Sequence, residues 1–457
     1  MLTTIISLIA LCTALTQADS IVASKGIAIS GVARSARSPI QIDGVAAQIV
    51  AGTFHPQAGD RVGIPLPISA EKSVETSGIW KEIKPDENGS FDSTSFSGGY
   101  LVLSFESPAN QIMLLEATGH GMVYFDGPHM GDPYATGYQR IPLEIKKGIN
   151  QLVFAAGRGP ISAKLVAPRI NGPQFDTRDL TAPDLVVGES LDAWIGIRII
   201  NAANIPATNL AIEIESQDGI TTRTPVAMIV PLGIFKAPAR IRSGPFGLEG
   251  PARFRVALVR ADSPDGDAKG MLDETTIELT VKSSTATRKE TFQSKIEGSA
   301  QYFAVVPAAK PTVKSEAHPG IVLSLHGASV EALGQAQCYA PRDWAFIIAP
   351  TNRRPYGFDW EDWGRIDALE VLDTAHERFR TDPQRQWLTG HSMGGHGTWQ
   401  IGAQNNDLFA AIAPSAGWIS FFTYVKAPTA AIDANDFVGK ILDRSANPSR
   451  TLLLKDN

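Results

Sequence analysis

A serine enclosed by glycines is the clearest chemical signal in this sequence. Residues 390–394 read Gly-His-Ser-Met-Gly, a G-x-S-x-G pattern that follows an apolar run. A serine in a sharp turn from strand to helix exposes its hydroxyl only where its neighbours lack side chains, because a side chain at position 390 or 394 would collide with the strand or the helix. The pattern predicts a nucleophile at Ser392, in preference to a helix N-cap serine. The residues expected to shape this turn are Gly390, His391, Gly394 and Gly395.

Backbone amides near this serine would stabilise negative charge on a substrate oxygen. The turn directs the first free N–H of the following helix, that of Met393, toward whatever bonds to Ser392. A second amide is expected from the loop after an earlier strand, where the N–H of Gly327 or Ala328 would complete an oxyanion hole. We expect the adjacent His326 to order this loop and not to act as the base.

The elements that must position these loops alternate between strands and helices from about residue 302. The runs 320–325 and 344–349 predict buried strands, 386–389 predicts the strand that leads into the serine, and 409–414 predicts the next one. Between Asp359 and Phe379, apolar residues at helical spacing predict an amphipathic helix with an acidic start. This order predicts a mostly parallel sheet with helices on both faces.

Together these segments resemble the α/β-hydrolase fold, especially prolyl oligopeptidase-like serine hydrolases and related secreted esterases, over roughly residues 302–425. The resemblance implies acyl transfer, in which Ser392 attacks an ester or amide carbonyl and water releases the acyl-enzyme. The substrate would be a small-molecule ester, a peptide or a sugar ester. Neither a metal nor an organic cofactor is indicated.

The sequence departs from this family in its acid and its base. In the α/β-hydrolase fold both follow the nucleophile in chain order, yet no histidine follows His396. His391 lies beside the serine, where side-chain directions diverge, and His396 lies one helical turn later, so neither is well placed to accept the serine proton. We therefore expect a C-terminally incomplete, inactive hydrolase domain over 302–457. The alternative is a non-catalytic secreted binding protein with a hydrolase remnant. The candidate acids, each more typical of surface charge, are Asp433, Asp436, Asp443 and Asp456.

Five aromatic residues near the predicted helix start could line an acyl or sugar-ester pocket. Packing between helix and sheet is the preferred interpretation for each of them. They are Trp344, Tyr356, Phe358, Trp360 and Trp363.

Two β-rich regions precede the α/β region, so the chain is predicted to be multidomain, with two N-terminal all-β sandwich domains before a partial α/β-hydrolase. Short strands separated by turn residues predict a jelly-roll-like domain over 21–167 and an immunoglobulin-like sandwich over 176–282. The polar segment 283–301 is predicted to be a linker or a hairpin leading into the next domain.

The first β region resembles, over about fifty residues, the lectin-like jelly rolls of secreted carbohydrate-active enzymes, which implies a glycan contact. Core and turn roles are nevertheless preferred for its candidate sugar-binding residues, which are Tyr124, Asp126, His129 and Tyr134. Asn88-Gly89-Ser90 forms a glycosylation sequon, but Asn-Gly favours a hairpin turn. The acidic loop of Asp262, Asp265 and Asp267 lacks EF-hand spacing, so a solvated turn is preferred to a calcium site.

The N-terminus and the composition bear on where the protein acts. Residues 1–18 resemble a secretory signal peptide, with Thr16 and Ala18 at a cleavage site and an apolar run shorter than the ~20 residues that span a bilayer. We therefore expect a secreted or periplasmic protein without a stable membrane anchor. Removal of the signal peptide leaves Cys338 as the sole cysteine, interpreted as a small buried hydrophobe. A formal charge of -6 argues against nucleic acid as a partner.

Overall fold

The computed structural model describes residues 19–23, 25–34, 42–63, 77–264, 269–309, 318–354 and 357–419. Several sequence predictions fall outside these ranges, namely those on the signal peptide 1–18, Asp265, Asp267, Tyr356, Asp433, Asp436, Asp443 and Asp456. Within the described ranges, no helix combines the length and the apolar character needed to cross a membrane.

The first β region packs two sheets face to face, with an apolar core between them. Its elements are β1 (Ser20–Val22), β2 (Gly26–Ile29), β3 (Ala33–Arg34), β4 (Ile42–Asp43), α1 (Gly44–Val50), β5 (Arg61–Gly63), β6 (Ser77–Ile79), β7 (Lys81–Ile83), β8 (Ser90–Phe91), a 3-10 turn (Ser93–Phe96), β9 (Tyr100–Ser107), β10 (Gln111–Thr118), β11 (His120–Tyr124), β12 (Pro128–Met130), β13 (Arg140–Ile145), β14 (Gly148–Ala156) and β15 (Ile161–Val166). One sheet runs β1-β15-β10-β13 with β8 on β15, and the other runs β12-β11-β14-β9-β2-β7. Alternating residues of β9, such as Leu101 and Leu103, meet Met113 and Leu143 of the facing sheet.

The second β region repeats this plan with longer strands. It contains β16 (Pro173–Thr181), β17 (Leu185–Val186), β18 (Leu191–Asn201), β19 (Leu210–Ser216), β20 (Thr221–Val226), β21 (Ile234–Ser243), β22 (Gly250–Arg260) and β23 (Met271–Lys282). The sheets β16-β18-β21 and β17-β23-β22-β19-β20 share a core in which Ile197 and Ala239 of one sheet meet Ile212 and Phe254 of the other. The jelly-roll and immunoglobulin-like assignments, and the domain limits, stay predictions.

The third region is the α/β region. Its elements are β24 (Arg288–Gln293), β25 (Ala300–Val306), β26 (Gly320–Leu325), α2 (Ala332–Gln337), β27 (Ala345–Ala349), α3 (Trp363–Phe379), β28 (Gln386–His391), α4 (Met393–Gln404) and β29 (Ala411–Ser415). The sheet order is β24-β25-β27-β26-β28-β29. Strands β27, β26, β28 and β29 are parallel to one another, and β25 is antiparallel to both of its neighbours, β24 and β27. The carboxyl ends of the parallel strands therefore meet at one edge, where ligands bind in open α/β sheets.

Helices cover both faces of this sheet, as the sequence predicts. Val305 and Ile348 face the core that also holds Val371 of α3 and Ile401 of α4. Their strand neighbours, such as Ala304 and Ile347, face the opposite way and pack against Ala332 and Ala336 of α2. The alternation of apolar residues along each strand thus gives each face its own core.

Four local predictions differ from the structure. The segment 283–301 contains β24, which pairs with β25, so the hairpin alternative replaces the linker. Helix α3 begins at Trp363 and not near Asp359, because three residues between 359 and 362 have positive φ angles and cannot continue a helix. Strand β29 begins two residues later than expected. Cys338 is exposed, since it follows the last turn of the short helix α2 and does not face the sheet.

The predicted turn at Asn88-Gly89-Ser90 is present. The Asp86 carboxylate accepts hydrogen bonds from the backbone N–H groups of Asn88 and Ser90 at 2.9 and 2.8 Å, and Gly89 has a φ of 78°.

In the part of the chain that the structure describes, no group of three or more His, Cys, Asp or Glu side chains could hold a metal ion.

Candidate active site

Ser392 lies between the end of β28 and the first residue of α4. Its φ of 55° and ψ of -116° are strained for a residue with a side chain. The conformation is held from both sides: the Ser392 N–H donates to the Ser415 carbonyl at 2.9 Å, and its own carbonyl accepts from the His396 N–H at 3.1 Å. The strand, the turn and the helix expected around this serine are therefore all present.

The glycines on either side of the serine allow backbone segments to touch. A Cβ on Gly390 would lie within 3.0 Å of the Gly394 backbone, and a Cβ on Gly394 would lie within 3.0 Å of the Leu325 carbonyl. The close backbone contacts expected at both positions are present. A side chain at position 395 is excluded in the same way, since a Cβ built on Gly395 would meet the Ser415 carbonyl at the end of β29.

The two expected sources of oxyanion amides lie next to the serine. Gly327 follows β26, and a Cβ built on it would lie 3.7 Å from the Ser392 Cβ and 3.3 Å from the His391 carbonyl. Met393 is the first residue of α4, so its N–H has no partner carbonyl within the helix. Ala328 continues the loop and packs its methyl group on the core. The roles of these amides stay predictions.

His326 and Trp360 support the loop that carries Gly327. His326 is fully buried, with its Nε2 3.0 Å from the Thr351 carbonyl and its Nδ1 2.9 Å from the Gly327 carbonyl. Burial lowers the pKa of His326, so the ring is neutral and donates to one of these two carbonyls. The Trp360 Nε1–H donates to the His326 carbonyl at 3.0 Å. His326 thus ties the loop to the end of β27.

The two histidines of the glycine-rich stretch have other partners. His391 is exposed, with its Nδ1 3.2 Å from the Ser415 hydroxyl. His396 is fully buried: its Nδ1 lies 2.9 Å from the Trp418 carbonyl, its Nε2 lies 2.9 Å from Glu361, and its ring stacks on Trp418 at 4.5 Å. His396 therefore joins α4 to the loop before α3 and to the chain after β29.

No histidine hydrogen-bonds the Ser392 hydroxyl, and all eight histidines of the sequence belong to the described residues. A general base must be within hydrogen-bond reach of the proton that it removes. The arrangement therefore holds a serine and two amide sources without a histidine base in contact.

A mostly buried ionic cluster, which the sequence did not indicate, lies behind the loop after β27. The Arg353 guanidinium lies 3.1 Å from Asp367, 3.2 Å from Glu370 and 2.7 Å from Glu297. Asp367 is fully buried, and burial raises its pKa to about 6 despite the attraction of Arg353. The available signal was two acids three residues apart on the core side of α3, a spacing that puts both on one face.

The predicted aromatic group is dispersed. Trp360 is fully buried between the Gly327 loop and Gly397 of α4, as packing predicts. Trp344 packs edge-on against Trp387 and is 40% exposed, while Phe358 and Trp363 are partly exposed and lie under the guanidinium groups of Arg354 and Arg353 respectively. These side chains do not form one pocket wall.

The four candidate sugar-binding residues of the first β region have different local contacts. His129 Nε2 contacts the Phe125 carbonyl at 2.8 Å, and Asp126 has a φ of 51° in the same turn. Tyr124 packs against the Tyr100 ring, as a core role predicts. Tyr134 lines a cavity that extends to the α/β region, and the other three residues do not belong to the walls of that cavity.

Residues 353–443 match the prolyl oligopeptidase family. The resemblance predicted from the sequence is confirmed, and it supports a serine-hydrolase type of function for this segment at the level of the family. No curated protein sequence matches the chain significantly.

Among solved structures, fluorophosphonate-binding serine hydrolase F of Staphylococcus aureus is 18% identical, over 37% of this chain and 72% of that one, with a TM-score of 0.29. The S-formylglutathione hydrolase of the same organism is 20% identical over 37% and 73%, with a TM-score of 0.28. A ferulic acid esterase of Anaeromyces mucronatus is 17% identical over 29% and 64%, with a TM-score of 0.22. At these values the similarities carry no inference about activity.

Proposed function

We propose that this protein is a secreted or periplasmic serine hydrolase that cleaves an ester through an acyl-enzyme on Ser392. The observation that carries the proposal is the strained conformation of Ser392, held between β28 and α4 by backbone contacts that leave no room for side chains at Gly390 and Gly394. Strain of this kind persists only where the surrounding structure fixes it, and it clusters at active sites.

In the proposed reaction the Ser392 oxygen forms a bond to the ester carbonyl carbon, and the carbonyl oxygen becomes an oxyanion. The N–H groups of Met393 and of Gly327 or Ala328 would donate to that oxyanion. The bond from carbon to the alcohol oxygen then breaks, the alcohol leaves with the proton of the serine, and water hydrolyses the acyl-enzyme to free acid.

The proposal includes a weak step, the removal of the serine proton. His391 and His396 have other partners, so we propose that the acid and base of a triad are absent from this arrangement and that turnover is slow. A site that keeps only its oxyanion amides and substrate binding still retains roughly 10³- to 10⁴-fold catalysis over water. Acylation by an activated ester should therefore remain measurable.

We further propose that the leaving alcohol belongs to a sugar, held in part by the first β region, and that the two β regions are sandwich modules of an exported protein. The support is the neighbourhood of the Gly327 loop: residues of both β regions line a cavity whose wall continues to Ser329. Peptide amides are the alternative substrates, because the family matched over 353–443 is a peptidase family.

Incubation of the full chain with 4-nitrophenyl acetate tests this proposal by intact mass. We expect one acetyl group per chain, none in Ser392→Ala, and no release of nitroaniline from a dipeptide 4-nitroanilide. Cleavage of the anilide at a rate comparable to the ester would replace the esterase by a peptidase. Absence of acylation in the native sequence would favour a non-catalytic binding protein, which the occupied ring nitrogens of His396 also suit.

A further inference from the structure

A cavity of about 960 Å³ lies where the three regions of the chain meet. Its walls come from the loop 132–138 of the first β region, from Asp179 and Lys236 of the second, and from residues 299–302, 329–332 and 351–354 of the α/β region. The volume is at the upper end of the ~300 to 1,000 Å³ typical of small-molecule sites, which are often found between domains.

The cavity lies beside the loop that carries Gly327. Ser329 lines it and lies two residues after Gly327, whose Cβ position is 3.7 Å from the Ser392 Cβ. Thr351 lines it as well, and its carbonyl contacts the His326 ring that supports the same loop. A substrate with its acyl group at Ser392 would therefore have this cavity within reach of its remaining part.

The loop 132–138 presents two tyrosine rings from a fixed backbone. The Asp132 carboxylate accepts from the N–H of Thr136 at 2.9 Å and from that of Gly137 at 2.7 Å. The second β region clamps the same loop: Arg178 donates to the Gly137 carbonyl at 3.1 Å, and Arg198 donates to the Tyr138 carbonyl. Tyr134 and Tyr138 stay 37% and 42% exposed. Such preorganised aromatic faces reduce the entropy lost on binding.

The charged groups that line the cavity each have a partner. Lys236 pairs with Asp179 at 2.9 Å, Arg353 pairs with three acids, and Asp132 accepts backbone amides. The guanidinium groups of Arg158 and Arg354 lie over the rings of Tyr134 and Phe358, at 5.3 and 5.2 Å from the ring centroids. This lining does not suit a strongly charged ligand such as a polyphosphate. It combines aromatic faces with hydroxyl and carboxylate groups, among them the pair of the Tyr302 hydroxyl and Glu331 at 3.4 Å. A neutral, hydroxyl-rich ligand with apolar C–H faces matches that combination.

We propose that this cavity binds a neutral oligosaccharide, the alcohol part of the ester substrate, with sugar rings stacked on Tyr134 and Tyr138 and hydroxyl groups bonded to Glu331 and Tyr302. The inference deepens the proposed function, since it names the substrate class of the same site. It rests on that function only for the claim that the bound sugar carries the ester.

Binding to the full chain, measured by titration calorimetry, tests the cavity without requiring turnover. The probes are xylohexaose, cellohexaose and mannohexaose as neutral sugars and hexagalacturonate as an acidic one. We expect at least one neutral hexasaccharide to bind more tightly than the acidic one. Tyr134→Ala and Tyr138→Ala should each weaken binding up to about tenfold, which is the size of an aromatic contact. Trp344→Ala, with a similar exposure of 40% but outside the cavity, should leave binding unchanged.

Three outcomes would overturn the assignment: no neutral hexasaccharide binds, the acidic sugar binds more tightly, or the tyrosine variants bind as the native protein does. Thermal melts of each variant check that the fold is intact. Acetylation of the native protein at Ser392 is measured beside binding, and Trp344→Ala should be acetylated as the native protein is. Sugar binding without acetylation would leave the cavity in place and reject the hydrolase, and acetylation without sugar binding would do the reverse.

Discussion

Two neighbouring loops at the carboxyl edge of the α/β sheet are built by different physics. Around Ser392 and Gly327, backbone meets backbone, and glycines at 390, 394 and 395 allow the approach. The loop after β27 is held by side chains instead: Arg353 binds three acids, and Trp360 is buried against Gly397. The backbone contacts between the Ser392 turn and the Gly327 loop position the serine hydroxyl. The loop after β27 supports the Gly327 loop through the hydrogen bond from the Trp360 Nε1–H to the His326 carbonyl.

The two regions should tolerate different kinds of substitution. A backbone contact has no room for a single added carbon, whereas a side-chain cluster fails when one partner is removed and leaves the others buried. Substitutions that add atoms should therefore damage the Ser392 loop, and substitutions that remove charge should damage the loop after β27.

The largest effect is expected from Gly394→Val. The new side chain would overlap the Leu325 carbonyl, and overpacking against backbone should cost about 3 kcal/mol or more in the free energy of unfolding of the α/β region. Calorimetric melting measures this loss. Gly334→Ala in α2 is the matched control, because its Cβ would meet only the Val330 side chain at 3.5 Å, and it should melt at or above the native temperature. Equal melting of Gly394→Val and the native protein would contradict the backbone account.

Arg353→Met should have a comparable effect. It leaves Asp367 and Glu370 buried without their cation, and breaking a buried pair typically costs ~3 to 5 kcal/mol. Urea unfolding followed by tryptophan fluorescence gives the change. Arg253→Met removes an exposed pair with Glu278, where both side chains are more than half exposed, and should change stability by less than about 1 kcal/mol. Similar losses in the two variants would remove the distinction between the loops.

Asp367→Asn should change how stability depends on pH. Burial raises the pKa of Asp367 from 3.8 to about 6, so the folded protein binds this proton more tightly than the unfolded chain. The stabilising contribution is complete below pH 3.8 and is lost as the pH rises to about 6. Subtracting the variant's unfolding curve from the native one across this window should show that decline. A difference that stays constant or rises with pH would show that Asp367 is ionised throughout.

The smallest effect concerns the serine itself. Ser392→Gly should stabilise the protein by roughly 1 kcal/mol, since glycine adopts a φ of 55° without the strain that a side chain imposes. Differential scanning calorimetry of this variant beside Ser392→Ala, which keeps a Cβ, isolates the backbone contribution. Should both variants melt together, the conformation of Ser392 stores no strain.

The same comparison explains which parts of the site could be predicted from the sequence. The Ser392 turn is local, because the glycines, the preceding strand and the following helix all lie within 386–404, and the pattern states the steric need directly. The Arg353 cluster joins residues 297, 353, 367 and 370, which only the folded sheet brings together. The same applies to His396, whose partners Glu361 and Trp418 lie on separate loops.

Prediction of the fold from the sequence has a similar limit. Buried strands and their alternation were readable as apolar runs, so the order of the α/β elements agreed with the structure. The start of α3 was placed too early because apolar spacing does not report the positive φ angles of Asp359, Trp360 and Asp362. The sequence leaves a linker and a hairpin open for 283–301, because the β24 segment Arg-Lys-Glu-Thr-Phe-Gln has little apolar character and forms a strand by pairing with β25.

Fluorophosphonate labelling of the full chain, with the labelled peptide identified by mass spectrometry, tests the central claim most directly. We predict slow labelling of one residue per chain, at Ser392, lost in Ser392→Ala and unchanged in rate in His391→Gln, because His391 faces Ser415 and not the nucleophile. No labelling of the native sequence, or a label that persists in Ser392→Ala, would contradict the assignment of Ser392 as a nucleophile.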